Sequence, residues 1–220
     1  MSQPVRPTIR KNALIASGAA FVFAAGACLW ALHANETKVI AADAQSASAN
    51  RSAHVVQLSN SEAIGKRLIA GAERVADGKP IDGIGCAAME NEGYHAHAHL
   101  ALFYRGAQVQ VPGLIGAVPT TSGGCFYWIH THDMSGIVHV EAPASAPAAS
   151  FTLGALFDVW GRPLARDGVA GLRGPVVAFV NGTRYEGDLR AIPLEPHQQI
   201  VLEVGTPLAA PPAYAFPGGE

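Results

Sequence analysis

Three histidines and one glutamate fall within the segment 130–141, whose spacing predicts a tight β-hairpin. Alternate residues of a strand point to the same face, so His130 and His132 share a face. The same holds for His139 and Glu141. With Ser135-Gly136 as a two-residue turn, the expected pairs are 134 with 137, 132 with 139, and 130 with 141. This register places three imidazoles and a carboxylate on one surface, with opposed Cβ atoms about 4.5–5.5 Å apart.

Such a group has the composition of a transition-metal site. Neutral imidazole is the commonest protein ligand for metals, and zinc takes three or four ligands at about 2.0–2.2 Å. The predicted metal ligands are His130, His132, His139 and Glu141. Zinc and copper are the expected ions, and nickel or iron(II) are also compatible with these residue types. Asp133 faces away from His132 in a regular strand, so it is expected either to orient a ligand imidazole through its other nitrogen or to shape the turn.

A second histidine tract precedes the hairpin in the chain. Its alternating imidazoles share one face of a predicted strand, and small or apolar side chains occupy the other face, which is expected to pack on a core. These additional metal-ligand candidates are His95, His97 and His99. They either add to the hairpin site or form an exposed copper- or zinc-binding tract of low affinity. His197 joins the cluster only where the fold brings its loop close.

Explanations without a metal also fit the sequence. Histidines on a half-buried strand are often bonded only to backbone or water, and imidazoles with a carboxylate can also transfer protons. Several imidazolium groups on one surface would repel one another, however, and a metal ion removes that conflict. Transition-metal binding is therefore the leading hypothesis. The alternatives are a metal-dependent hydrolase or oxidoreductase with an open coordination position, and a metal-free, pH-sensing interaction module.

The N-terminal region predicts export and a membrane anchor. The predicted membrane segment 13–33 contains an apolar run, 13–32, long enough to cross a bilayer, and the tail 1–12 carries Arg6, Arg10 and Lys11, which favour a cytoplasmic N-terminus. Residues 34–53 are rich in Ala, Ser and Asn and are expected to form a flexible linker. A cleaved signal peptide, with processing near Ala42-Asp43-Ala44, is the alternative. Removing the three N-terminal bases from the totals of 15 Lys+Arg and 17 Asp+Glu leaves 12 against 17, an acidic remainder that argues against a nucleic-acid partner.

Export changes the expected chemistry of the cysteines. Cys86 and Cys125 are the two that follow the membrane segment, and an oxidising compartment favours a disulfide between them. Each precedes a histidine-rich strand, so a bridge would fasten the starts of both strands. Ligation of a metal by these thiols is the alternative, although the chain has no C-x-x-C spacing there.

The remaining pattern predicts a small α+β domain. Residues 54–83 are expected to contain an amphipathic helix over 61–77, residues 84–206 the histidine-rich domain, and residues 207–220 a Pro/Gly-rich tail. Thr152 and Gly161 bracket a short predicted helix, and Asn181-Gly182 is a strong hairpin turn. Strand pairs with one helix between them fit a mixed or antiparallel sheet, with a β-grasp-like arrangement as one solution.

The histidine motifs also carry a family resemblance. Segments 94–100, 111–116, 125–141 and 151–161 resemble a family of exported bacterial and archaeal proteins with H-x-H-x-H and H-T-H-D-x-S-G-x-x-H-x-E motifs. The resemblance spans about residues 84–206 and is most specific in the hairpin segment. It implies a single exported domain and brings no established activity, so the metal hypothesis depends on the residues themselves.

Overall fold

The computed structural model describes residues 55–59, 62–69, 77–88, 93–120, 123–210 and 212–219, which form the domain. The predicted cytoplasmic tail 1–12, the membrane segment 13–33 and the linker 34–53 lie outside the described residues. In the described ranges there is no helix of sufficient length and apolar character to span a bilayer.

A mixed sheet dominates this domain, in agreement with the predicted α+β class. Its strands are β3 (Tyr94–Tyr104), β4 (Ala107–Val109), β7 (Ile129–His130), β8 (Ile137–Ala142), β12 (Val176–Val180), β13 (Thr183–Tyr185) and β14 (Gln199–Val204). Their order is β13-β12-β14-β3-β8-β7, with β4 paired to the second half of β3. β3 and β14 run parallel at the centre, and antiparallel strands lie on either side of them.

Shorter strands surround this sheet. β2 (Cys86–Ala87), β6 (Gly123–Tyr127) and β5 (Ala117–Thr120) form one small sheet, and β9 (Leu164–Ala165), β10 (Gly168–Val169) and β11 (Leu172–Arg173) form another. β1 (Val55–Gln57) pairs in parallel with β15 (Ala213–Ala215). The segment expected to be a Pro/Gly-rich tail therefore contributes a strand.

The single described α-helix, α1 (Leu153–Trp160), begins and ends where the sequence predicts. The Thr152 hydroxyl accepts a hydrogen bond from the Ala155 amide at 3.2 Å, which satisfies one of the free amides of the first turn. Gly161 follows in the left-handed conformation at φ +70°, as is common after the last turn. The Asn181-Gly182 turn between β12 and β13 is confirmed, with both residues at positive φ.

The two faces of the main sheet have different partners because side chains alternate along each strand. Ala96, Ala98, Leu100 and Leu102 of β3 pack into the main core with α1. Ala101 and Phe103 point the other way, into a smaller cluster that contains Leu58 and Tyr214. The histidines of β3 share the face of Ala101 and Phe103, opposite the helix, as the alternating pattern predicts.

The predicted helix over 61–77 is wrong for the residues that can be described. Residues 62–69 are not helical, and Lys66 instead forms an isolated parallel bridge to Val109. Gly65 adopts φ +98° at this point, and a Cβ there would lie 2.8 Å from the Gln108 carbonyl oxygen. The chain approaches the edge strand β4 closely and satisfies its backbone groups by pairing, so this tertiary contact overrides the weak helical period. Residues 70–76 lie outside the described ranges.

Cys86 and Cys125 form a disulfide, which confirms the predicted pairing. Because the two sulfurs are bonded to each other, they do not serve as thiolate ligands for a metal. The Cα atoms of the two cysteines are 5.6 Å apart, and the disulfide joins two strands of the β2-β6-β5 sheet. β6 leads through Trp128 directly into β7. The disulfide thereby fixes the chain just before the first strand of the histidine hairpin.

Candidate metal centre

Three adjacent strands carry the histidines to one place on the sheet. His139 of β8 pairs with His97 of β3 on one side and with His130 of β7 on the other. Glu141, two residues further along β8, pairs with His95. Because residues two apart on a strand share a face, all five side chains lie on the face opposite α1.

The hairpin register differs from the predicted one. His130 pairs with His139 rather than with Glu141, and Ile129 pairs with Val140. The connection is not a two-residue turn, because residues 131–136 all lie between the strands. The resulting slip is of two residues, an even number, so each side chain keeps its predicted face. The predicted pairing of 132 with 139 is also wrong, since His132 lies in the connection.

Hydrogen bonds fix this longer loop. The Thr131 hydroxyl donates to the Pro112 carbonyl at 3.0 Å and accepts from the Ile115 amide at 3.1 Å. Asp133 Oδ1 accepts a hydrogen bond from the Ser135 amide at 2.8 Å. Asp133 therefore shapes the turn, which was one of the two roles expected for it. These bonds hold the loop so that His132 turns back towards the sheet.

One carboxylate oxygen of Glu141 faces the imidazoles of β3 and β8. Its Oε1 lies 3.4 Å from His95 Nε2 and 3.4 Å from His139 Nδ1. His95 Nε2 is in turn 3.0 Å from His97 Nε2. The rings of His97 and His139 meet edge to face at 4.6 Å. Four donor groups therefore converge in this half of the cluster.

The other carboxylate oxygen faces the hairpin histidines. Glu141 Oε2 lies 3.8 Å from His130 Nε2, which is 3.3 Å from His132 Nε2. The His132 ring lies 4.4 Å from that of His139 and 4.8 Å from that of His130. The two oxygens of a single carboxylate thus face two different pairs of histidine nitrogens.

His130 is oriented by the backbone. Its Nδ1 lies 2.8 Å from the Tyr127 carbonyl oxygen, which can only accept, so Nδ1 carries the proton and Nε2 carries the lone pair. This is the arrangement that metal-bound histidines usually show, with one nitrogen on a carbonyl and the other on the ion. Burial lowers the pKa of His130 to about 4, against the attraction of Glu141. A neutral imidazole with its lone pair directed into the cluster is ready for ligation.

Glu141 is itself deeply buried, at 4% exposure. Burial raises its pKa, but the contact with His139 and the charges of His130, His139 and His95 more than offset this, so its pKa lies below the usual range. Buried Oε2 of Glu141 has no hydrogen-bond partner. An unsatisfied buried polar atom is costly, and this one faces a cluster of electron-pair donors.

The ligand atoms form two overlapping groups of metal-binding size. His95, His97, His139 and Glu141 make the first group, and His130, His132, His139 and Glu141 make the second. Within each group the donor atoms lie within 4.8 Å of one another. The second group is the predicted ligand set, and the first joins two of the additional candidates to it. His139 and Glu141 belong to both.

The remaining histidine candidates lie apart from these groups. His99 Nε2 donates to the Ser135 carbonyl at 3.1 Å, and its ring packs 4.0 Å from that of Tyr214. Burial lowers its pKa to about 4, so it is neutral in the folded protein near pH 7. His197 packs its ring against Phe216 at 4.9 Å, and its backbone amide donates to the His97 carbonyl. The fold therefore brings the His197 loop beside β3 without placing its ring in either group.

Phe126 closes one side of the cluster, a position that the sequence pattern does not single out. Its ring centre lies 5.0 Å from that of His130 and 5.5 Å from that of His132. Phe126 also borders a surface cleft of about 520 Å³ together with Leu114 and Pro119. The Tyr127 carbonyl that orients His130 is a second contact that the sequence does not predict, because no side-chain pattern reports a backbone acceptor.

No family model, curated protein or solved structure matches this chain.

Proposed function

We propose that this protein is a transition-metal-binding domain, with zinc or copper as the ion. The observation that carries the proposal is the convergence of five imidazoles on one buried carboxylate, Glu141. These groups come from three neighbouring strands and one loop, so the fold as a whole assembles them. A structural hydrogen-bond network would be expected to satisfy its buried atoms, whereas Glu141 Oε2 has no hydrogen-bond partner.

The type of ligand supports zinc or copper among the common ions. Imidazole nitrogen with a single carboxylate suits both, whereas magnesium and calcium prefer sites made of oxygen atoms. Cys86 and Cys125 are joined to each other, so their sulfurs do not supply a thiolate. Met134 is 40% exposed, which gives no support to a thioether ligand.

The proposed location is the extracytoplasmic side of the inner membrane. Residues 13–33 would form the single anchor and residues 34–53 the linker that carries the domain. The Cys86–Cys125 disulfide supports an oxidising compartment. Proteinase treatment of intact and permeabilised spheroplasts tests this, because an extracytoplasmic domain is degraded in both and a cytoplasmic one only after permeabilisation.

The fold itself supports a further proposal about its class. β3 and β14, the first and last strands of the main sheet, form a central parallel pair, with β8 beside one and the β12–β13 hairpin beside the other. α1 lies between β8 and β12 in the chain and packs on one face. We propose on this basis a β-grasp-like arrangement, to which β4 and β7 are added. We also propose that the chain belongs to the family of exported proteins with these histidine motifs, because the motif segments 94–100, 111–116, 125–141 and 151–161 resemble it.

Metal content decides the proposed function. The full-length chain, purified in detergent and loaded with Zn²⁺ or Cu²⁺, is expected to retain bound metal after gel filtration. A His139→Ala/Glu141→Gln variant, which removes both residues that the two ligand groups share, is expected to lose it. His197→Asn is the matched control, since it removes an exposed imidazole outside the cluster, and Asn tolerates the positive φ of 57° there. Absence of metal in the wild type, with no metal-dependent rise in Tm at neutral pH, contradicts the proposal.

A metal-dependent enzyme is the second candidate, and the exposed edge of the cluster favours it. The His95 side chain is 53% exposed, so solvent or a small substrate can approach this side of the site. Azide added to Co²⁺-loaded protein separates the two functions, because an open coordination position changes the visible spectrum and a closed site does not.

A further inference from the structure

Glu141 lies between two pairs of imidazole nitrogens rather than at the edge of one. Its Oε1 is 3.4 Å from His95 Nε2, and its Oε2 is 3.8 Å from His130 Nε2. Each of these nitrogens has a second imidazole nitrogen beside it, at 3.0 Å for His97 and 3.3 Å for His132. The cluster is therefore divided at the carboxylate into two halves.

These separations match those between ligands of one ion. In a tetrahedral site with bonds of about 2.0–2.2 Å, two ligand atoms lie roughly 3.3–3.6 Å apart. The four distances in the two halves, 3.0, 3.3, 3.4 and 3.8 Å, bracket this range. Six donor groups exceed the four that a tetrahedral ion accepts, so a single zinc ion would leave part of the cluster unused.

We infer that the cluster is a two-metal site in which Glu141 bridges the ions through its two carboxylate oxygens. This inference rests on the proposed metal-binding function. His95 and His97 hold one ion beside Oε1, and His130 and His132 hold the other beside Oε2. Two-metal sites in proteins commonly place their ions about 3.5–4 Å apart, which a bridging carboxylate can span.

His139 supplies a further ligand to one of the ions. It belongs to both four-residue groups, and its Nδ1 lies 3.4 Å from Oε1, on the side of His95. Its ring also stacks parallel to that of His130 at 5.4 Å. His139 lies on β8, between His97 of β3 and His130 of β7, and this central position explains why its imidazole reaches both halves.

The charges of the site predict an additional small anion. Five neutral imidazoles and one carboxylate contribute a charge of −1, so two divalent ions leave an excess of about three positive charges. Hydroxide derived from bound water is the natural ligand to reduce this excess. The exposed side of the cluster, at His95, gives solvent access to it.

Metal stoichiometry and electron paramagnetic resonance of the full-length chain test the inference. Cu²⁺ is titrated into metal-free protein, unbound metal is removed, and bound copper is counted per disulfide-intact chain. Two ions per chain are expected, with a half-field resonance from two neighbouring Cu²⁺ ions. The His95→Ala/His97→Ala and His130→Ala/His132→Ala variants are each expected to keep one ion and lose the half-field signal, and His197→Asn is expected to keep both.

The outcomes separate this inference from the proposed function. One ion per wild-type chain, without a half-field signal, overturns the two-metal site but leaves metal binding intact. No ion in the wild type overturns both. The wild-type count decides even where a double variant fails to fold, and far-UV circular dichroism identifies such a variant. Glu141→Gln, which keeps the shape but removes the bridging charge, is expected to reduce the count from two ions to one or none.

Discussion

Glu141 and His95 lie directly opposite each other on β8 and β3, with Glu141 Oε1 3.4 Å from His95 Nε2. This pair joins the two histidine motifs, because Glu141 belongs to the hairpin segment and His95 to the tract that precedes it. The attractions that lower the pKa of Glu141 require an imidazolium nearby, whereas burial keeps His130 neutral near pH 7. A bound metal supplies a permanent positive charge at the same place, so the carboxylate is stabilised without protonating the histidines.

Replacing Glu141 with Gln is expected to separate metal affinity from metal-free stability. In the metal-free chain the substitution removes the carboxylate charge that the surrounding imidazoles stabilise, as its lowered pKa shows, so the free energy of unfolding at neutral pH is expected to fall. With metal, the wild-type Tm is expected to rise, since an ion at 100 times its Kd contributes about 2.7 kcal/mol. The variant should show a much smaller rise. Thermal unfolding with and without Zn²⁺ measures both effects.

The control for this experiment is Glu195→Gln, because Glu195 is exposed and lies outside both ligand groups. It should leave the Zn²⁺-dependent rise in Tm unchanged. An equal rise in the wild type and in Glu141→Gln would show that the carboxylate contributes no metal affinity.

His99 is expected to make the fold sensitive to mild acid. Burial lowers its pKa from 6.5 to about 4, so the folded protein does not take up this proton until the pH is near 4. The unfolded chain takes it up near pH 6.5, which favours unfolding as the pH falls. Its contribution to stability is therefore complete above pH 6.5 and is lost between pH 6.5 and 4, by about 3 kcal/mol in all.

Urea unfolding at several pH values in the presence of EDTA measures this loss without bound metal. His99→Gln retains a donor for the Ser135 carbonyl but cannot be protonated, so its stability is expected to fall less steeply. His130 titrates in the same direction, and therefore some pH dependence remains in the variant. Parallel pH profiles for the wild type and His99→Gln would contradict the assignment to His99.

Gly136→Ala is expected to destabilise the domain by about 2 kcal/mol or more. Gly136 has φ +85°, and a Cβ there would lie 2.5 Å from the Leu100 carbonyl oxygen and 3.0 Å from His99 Nε2. Gly171 offers a matched control, because it has φ +91° but nothing within 4 Å of its Cβ position. Gly171→Ala carries only the backbone strain, about 1–2 kcal/mol. Equal losses in both variants, measured by urea unfolding, would show that β3 yields to the added methyl group.

The Cys86→Ser/Cys125→Ser variant is expected to lose stability but keep its metal. The two cysteines are 39 residues apart, and closing a loop of that length stabilises a fold by about 4 kcal/mol in the chain-entropy description. Neither sulfur belongs to the ligand groups, so the number of ions per folded chain should not change. Urea unfolding together with metal analysis tests both parts. A loss of metal from folded variant protein would point to a role of the disulfide in positioning β7.

Alternation along the strands predicted the faces of the histidines correctly because it depends only on backbone geometry. The register of His130 depends on the bonds of Thr131 and Asp133 in the loop, and neither bond is encoded in a periodic pattern. The joining of His95 and His97 to the hairpin depends on β3 lying beside β8. That order is a property of the whole sheet, so the sequence predicts that these histidines share one face but does not predict that β8 is the neighbouring strand.

The helix α1 and the residues 62–69 of the predicted 61–77 helix show where local signals suffice and where they do not. Thr152 and Gly161 give local signals at both ends of α1, and the structure uses both. The apolar period over 61–77 had similar local support, but Gly65 and the adjacent edge of β4 decide the conformation of residues 62–69. Local chemistry predicts an element well where its ends are specified, and less well where a distant strand competes for its backbone.

The pairing of β1 with β15 brings Val55 beside Ala213, near the two ends of the described domain. Adjacent ends make a domain suited to circular permutation. A chain that joins residue 219 to residue 55 through a short linker, and opens in the connection at 144–147, would retain every strand around Glu141. An assembled site in the permuted chain would show that the site requires the order of the strands in the sheet and not their order along the chain.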